Sequence, residues 1–350
     1  ENFTSKKVYE ITGQPEVSAG WPSCTTLWLK RNRPDVWNKT KKIMLIKDWV
    51  IYSLTGCFTT EPTMQSSSIW FDISKYCWWK EMLDYIGIDD TYLPKITKST
   101  DIVGYYNGIP VISGSLDQIA GTIGTGVTDE NKISTMTGTI MAICAMTDKI
   151  PEFREDSIIP CHTHAIEGKY CMLLWSSTAG MALKWFKNNL AENLSFKELD
   201  ELAEKVAPGC DGVSMLPYFS GSTMPKYNPE ARAVFAGLNL SHGKGHLARA
   251  IMEAVAYILK QDIEYIGNDG IEEIRITGGG ASSSLWSQID ADVTGKILHT
   301  VSESETACLG SAIIAAVGIG VFGSIEEAAK GIVSVKKEYK PSGADYTEGY

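Results

Sequence analysis

Residues 274–298 read IRITGGGASSSLWSQIDADVTGKIL. The stretch opens on Ile274 and Ile276, apolar residues alternating with polar ones, which is the pattern of a strand with one buried face. Gly278, Gly279 and Gly280 follow at once, and small hydroxyl residues come next. Leu285, Ile289 and Val293 then recur at spacings of four, one face of a helix. Strand, glycine turn and helix in this order is how α/β folds bring backbone close to a nucleotide. Glycine takes the Cβ out of the way, and the helix start offers N–H groups that have no partner within the helix. An ordinary strand-to-helix turn needs only one glycine, so three in succession point to nucleotide contact.

The chain of 350 residues is long enough for two domains with real cores. Its composition, 44% hydrophobic and 21% charged, is that of a soluble globular protein. The net charge of -10 argues against nucleic acid or an anionic membrane as the main partner. It leaves room for a phosphorylated ligand, which needs only local donors. Eight scattered cysteines with no CxxC pair read as free thiols in a reducing cytoplasm, not as disulfides or a metal site. No apolar run approaches the roughly 20 residues that span a bilayer, and the opening residues carry no signal-peptide pattern. The first residues, ENFTSKKVYEITGQPEV, read as the interior of something longer.

Other segments carry weaker signals. Ile43 to Leu54 runs apolar at helical spacing, and Gly56 suits the left-handed position after a helix. The stretch TTEPTMQSSSIWFD reads as polar and turn-rich, and the aromatic-heavy region around it as core filling. In IPVISGSLDQIAG, Pro110 to Ser113 reads as a buried strand, and Asp117 falls where a helix begins. An acid there is placed either as a helix cap or as a catalytic carboxylate, and the residues alone do not choose. Residues 133–146 read as a hairpin turning at Thr137-Gly138-Thr139, which alone is best taken as a plain turn. Cys161, His162 and His164 have no second ligand pair to make a zinc site with. Gly180 opens a helix, a second candidate phosphate-facing helix start, with Lys184 one turn in. The Ala/Gly-rich TACLGSAIIAAVGIGVF is a helix that can pack tightly on a neighbour. The glycines and polar run at 121–132 are the best domain boundary.

In order, GSLDQIAG, the TGT hairpin, STAGMALKWF, YNPEARAVFAGL, HLARAIMEAVAYIL, TGGGASSSLWSQIDADVTGKIL and CLGSAIIAAVGIGVF resemble the FGGY carbohydrate kinases over nearly the whole chain. The resemblance implies an α/β, actin-like ATPase (ribonuclease H-like) fold of two domains closing over a cleft. Residues 1–125 would be the C-terminal part of the sugar-binding domain and 126–350 the ATP-binding domain. The first domain would be incomplete, because the family's Asp-x-Gly-Thr-like phosphate loop is not in this sequence.

The implied reaction is transfer of the γ-phosphate of ATP to a hydroxyl of a sugar or polyol, nearest to D-xylulose or a related ketose. Gluconate, glycerol, ribulose or fuculose, or a non-catalytic ATP-binding relative, are the alternatives. By resemblance Asp117 matches the catalytic base and a magnesium (Mg2+) ligand, and Gln118 a substrate contact. Thr137, Gly138 and Thr139 match the phosphate-holding hairpin, and Gly180 and Lys184 a second nucleotide contact. Gly279, Gly280 and Ser284 match the adenosine pocket. The small-molecule substrate is the expected partner, and a homodimer is compatible with the resemblance.

Overall fold

The computed structural model describes residues 3–155, 159–223, 227–267, 270–347 and 349–350. It divides into two compact units, neither continuous in sequence. The first comprises residues 1–128, 146–173 and 305–332, and the second 129–145, 174–304 and 333–350.

The second unit is built on a sheet. The strands of this unit run in the order Val335–Tyr339, Ile297–Val301, Glu273–Thr277, Lys132–Thr137 and Met141–Thr147. Glu273–Thr277 is parallel to both of its neighbours, Ile276 pairing with Thr300 and with Thr135. Lys132–Thr137 and Met141–Thr147 form the expected hairpin, with Thr137 opposite Met141. The central strands bury Ile133, Ile143, Ile274, Ile276 and Leu298, as β-branched and aliphatic residues do in a covered sheet. The 23-residue helix Lys244–Ile266 packs against Ser284–Thr294 and Phe196–Ala203. Ser195 caps the last of these, accepting from Glu198 N while Glu198 reaches back to Ser195 N.

The first unit is mainly helical. Trp70, Phe71, Ile73, Trp79 and Leu83 form its aromatic-rich core, in line with the core-filling reading. Tyr85, however, is half exposed. The expected helix near residue 43 is Ile46–Thr55, closed by Gly56 at φ +74°. The strand expected at 110–113 is corrected. It is Ile109–Ile112, paired among the described residues only with Ile102–Tyr106 in a two-stranded hairpin, and none of its residues is buried. Its apolar run is that of a covered strand, but a single partner and no sheet behind it leave it half open. Asn107 and Gly108, both at positive φ, make the turn.

Next in the chain comes the helix Asp117–Gly124, which packs on Thr306–Gly318. The contact needs glycine on both sides. A Cβ on Gly124 would lie 1.8 Å from Thr306 O, and one on Gly310 would lie 1.7 Å from Ala120 O. The tight packing expected of the small-residue helix is therefore present, and its partner is the helix that carries Asp117.

Candidate active site

The second unit holds a cavity of about 690 Å³ where the strand Lys132–Thr137, the helix Gly180–Leu190 and the glycine turn meet. The expected nucleotide residues Thr137, Gly138, Thr139, Gly180, Lys184, Gly279 and Gly280 all line it.

The three glycines have different reasons. Gly278 has φ +84°, and a Cβ there would lie 2.8 Å from Thr137 O. A Cβ on Gly280 would lie 2.8 Å from Thr137 Cγ2. Gly278 and Gly280 thus let the turn press against the hairpin. Gly279 meets nothing within 4 Å and faces the cavity.

The hairpin and the helix start are laced together. Ala179 N and Met181 N donate to Thr139 O at 3.1 and 3.3 Å, and Gly180 N donates to Gly138 O at 2.8 Å. Gly180 has no room for a side chain, since its Cβ would sit 2.5 Å from Gly138 O. This changes the reading of that helix start. Its first N–H groups hold the Thr137-Gly138-Thr139 turn in place and are not spare donors for a phosphate. The exposed Lys184 remains on the wall as a cation.

Ser284, expected in the adenosine pocket, is not among the lining residues. Its hydroxyl accepts from Lys337 Nζ at 3.0 Å and from Tyr339 OH at 3.3 Å. One position earlier, Ser283 does line the cavity, capping the helix by accepting from Trp286 N at 3.1 Å. The capping geometry turns successive side chains to different sides, which the serine run in the sequence could not show.

Trp286, Phe196 and Asp200 also line the cavity, beyond the residues expected from the sequence. Trp286 is buried with its indole N–H unpartnered, and Phe196 adds an aromatic wall. Burial raises the pKa of Asp200, opposed by a hydrogen bond with Ser283. The helix spacing of Phe196 and Asp200 was legible, but the cavity they face was not.

In the first unit Asp117 is the first residue of its helix and is exposed, and Oδ1 accepts from Gln118 N at 2.8 Å. The backbone ahead of it is pinned by a network that the sequence did not announce. Leu116 N donates to Thr63 Oγ1 at 2.7 Å, and Thr63 Oγ1 donates to Glu61 Oε1 at 2.9 Å. Glu61, fully buried, also accepts from Thr63 N, Met64 N and Lys47 Nζ, the last at 2.8 Å. Lys47 Nζ further donates to Ser113 O at 2.9 Å. Glu61-Pro62 was a readable helix start, an acid cap followed by proline. The turn-rich reading of TTEPTMQSSSIWFD is corrected here, because Pro62–Gln65 is a short helix capped by Glu61.

His162 and His164 are buried, and burial holds both down to about 4. Among the described residues no group of three or more His, Cys, Asp and Glu is placed to hold a metal ion. All eight cysteines are free thiols. No described helix is long and apolar enough to cross a membrane.

Two family models match this chain. Residues 1–124 match the N-terminal domain of the FGGY family of carbohydrate kinases, and residues 135–319 its C-terminal domain. The xylulose kinase of Lactococcus lactis is 30% identical over 358 residues, covering 95% of this chain and 71% of that protein. An autoinducer-2 kinase of Salmonella paratyphi A is 27% identical, covering 98% and 69%. Among solved structures, a ligand-bound xylulose kinase from Lactobacillus acidophilus superposes with a TM-score of 0.90 at 24% identity, covering 98% of this chain and 73% of that one. Plasmodium falciparum glycerol kinase with ADP gives a TM-score of 0.89 at 21% identity, covering 97% and 71%. The fold is the actin-like ATPase fold of these kinases, and the chain belongs to the FGGY family of carbohydrate kinases, ATP-dependent phosphotransferases acting on sugars.

Proposed function

We propose that the protein transfers the γ-phosphate of ATP to a hydroxyl of D-xylulose or a closely related ketose. The observation that carries this reading is the cavity of the second unit, which gathers seven of the eight residues assigned to the nucleotide by sequence. In this reading residues 1–125 belong to the sugar-binding domain and 126–350 to the ATP-binding domain. The relatives named xylulose kinase supply the choice of sugar.

The TGT hairpin and Lys184 take the phosphates, and Gly279 and Gly280 lie under the adenosine. Met181, Phe196 and Trp286 supply apolar cover for the base. Asp117 accepts the proton of the attacking hydroxyl, with Gln118 beside it contacting the sugar. Phosphoryl transfer of this kind depends on positioning and charge neutralisation, so one base and a set of fixed donors suffice. A lone exposed carboxylate fits magnesium, which commonly takes one or two carboxylates and completes its shell with phosphate oxygens and water. Asp117 would hold it, and the bound ion would neutralise phosphate charge. Eight free thiols suit a cytoplasmic setting.

The test is ADP formation by the purified protein with ATP and magnesium against D-xylulose, ribulose, fuculose, gluconate and glycerol. Turnover with D-xylulose above the others is expected. Preference for glycerol or gluconate would replace the substrate, and sugar-independent ADP formation would remove the kinase assignment.

A further inference from the structure

Asp200 is a half-buried carboxylate on the wall of the second unit's cavity. It lies in the second turn of the helix Phe196–Ala203. Phe196, four residues earlier and so on the same face, lines the same cavity. Lys197, in the turn before, is paired with Glu201 at 3.9 Å. Among the described residues the side-chain partner of Asp200 is Ser283, and no cation is paired with it. Ser283 Oγ accepts from Trp286 N at 3.1 Å, so its O–H is the end that donates to Asp200. That bond uses one of the roughly four lone-pair positions of a carboxylate. The wall therefore offers acceptor capacity that nothing in the chain neutralises.

The chemistry of the nucleotide decides what meets it. Phosphate oxygens are acceptors with negative charge and are repelled by a carboxylate. They belong at the Thr137-Gly138-Thr139 turn and Lys184, on the other wall elements. The donors that remain on an adenine nucleotide are the 6-amino group of the base and the two ribose hydroxyls. The amino group is flanked by N1 and N7, both bare acceptors, so a carboxylate approaching it meets a lone pair on either side. The ribose diol presents two donors side by side. The helix agrees with this order: with the base against the ring of Phe196, the ribose falls one turn on, at Asp200.

We propose that Asp200 accepts a hydrogen bond from a ribose hydroxyl of the bound nucleotide, and so sets a preference for ribonucleotides over their deoxy forms. The inference rests on the nucleotide reading of this cavity and adds to it the residue that reads the ribose.

The experiment is calorimetric titration of the unsubstituted protein and of Asp200→Ala with ADP, 2′-deoxy-ADP, 3′-deoxy-ADP and GDP. In the unsubstituted protein at least one deoxy form should bind about tenfold more weakly than ADP, the scale of one hydrogen bond to a charged group. In Asp200→Ala the affinity for ADP should fall about tenfold and the gap between ADP and its deoxy forms should close. Equal binding of ADP and both deoxy forms by the unsubstituted protein overturns the assignment, so the test stands even where Asp200→Ala does not fold. A gap that persists in Asp200→Ala overturns it as well. So does a variant that changes only the ratio of ADP to GDP affinity, which would put the carboxylate at the base. Failure of the unsubstituted protein to bind ADP at all would remove the nucleotide reading itself, and the role of Asp200 with it.

Discussion

Asp117 offers a carboxylate at the start of a helix, with Oδ1 held by the N–H of Gln118. Asparagine keeps an acceptor oxygen for that contact but cannot take a proton. Asp117→Asn is therefore expected to lower kcat by about 10²–10⁴ while ATP binding stays unchanged, as read by steady-state kinetics and nucleotide titration. Unchanged turnover would remove Asp117 from the reaction. The glycines allow a paired test at the same scale. Gly279 has open space before it, so Gly279→Ala should leave stability within about 0.5 kcal/mol yet raise the KM for ATP. Gly180 meets Gly138 O at once, so Gly180→Ala should lose about 1–3 kcal/mol as well as ATP affinity. Urea unfolding and ATP kinetics on the two variants separate the roles. Equal stability losses would show that Gly279 serves only the backbone. These reasons were half legible beforehand. Three adjacent glycines announced a close approach, but that Gly278 and Gly280 make room for Thr137, leaving Gly279 to face the cavity, is a matter of contacts.

At the scale of elements, the helix bearing Asp117 is placed by two devices. One is the glycine crossing with Thr306–Gly318. Gly310→Ala pushes a methyl into Ala120 O and should cost about 1–3 kcal/mol in urea unfolding, with a fall in kcat because Asp117 moves with its helix. A variant of parental stability and activity would mean that the two helices part without cost. The other device is the Lys47, Glu61 and Thr63 network. Thr63→Val keeps the side-chain shape but removes the acceptor for Leu116 N and the donor to Glu61 Oε1. The expected loss is about 1–3 kcal/mol, with kcat reduced more than the KM for ATP. An effect on the KM for ATP alone would contradict a role in positioning Asp117. The small-residue helix was legible as a close packer because Ala and Gly spacing is a local property. Its partner was not, since nearly two hundred residues separate Gly124 from Gly310 in the chain.

Across the whole molecule, buried titrating groups oppose one another. Burial raises Asp262 from 3.8 to about 7 and Asp48 from 3.8 to about 6. The folded protein therefore keeps protons that the unfolded chain has released. The stability they contribute is full at low pH and is lost as pH rises through those values. His162 and His164, lowered from 6.5 to about 4, act in the other direction, and their contribution is lost as pH falls from 6.5 toward 4. Asp262→Asn removes one side of this balance. Measured by urea unfolding, its stability relative to the parent should rise between about pH 5 and about pH 8. A difference that stays flat over that range would show that Asp262 does not carry a raised pKa.

Residues 274–298 by themselves determined a strand, a glycine turn, a helix and the expectation of nucleotide contact. The hairpin at Thr137, the helix at Gly180 and the helix start at Asp117 were equally local, set by periodicity, glycine and capping chemistry within a few residues. Tertiary structure alone decided that Ser283 and not Ser284 faces the cavity, and that the N–H groups at Gly180 are spent on the hairpin. It also decided that residues 305–332 pack with the first unit and that Glu61 anchors the approach to Asp117. The physical reason is the same in each case. A backbone donor, a serine hydroxyl or a glycine face looks alike in sequence whether it is open or engaged. What engages it comes from a distant segment that only the folded chain brings within hydrogen-bond reach.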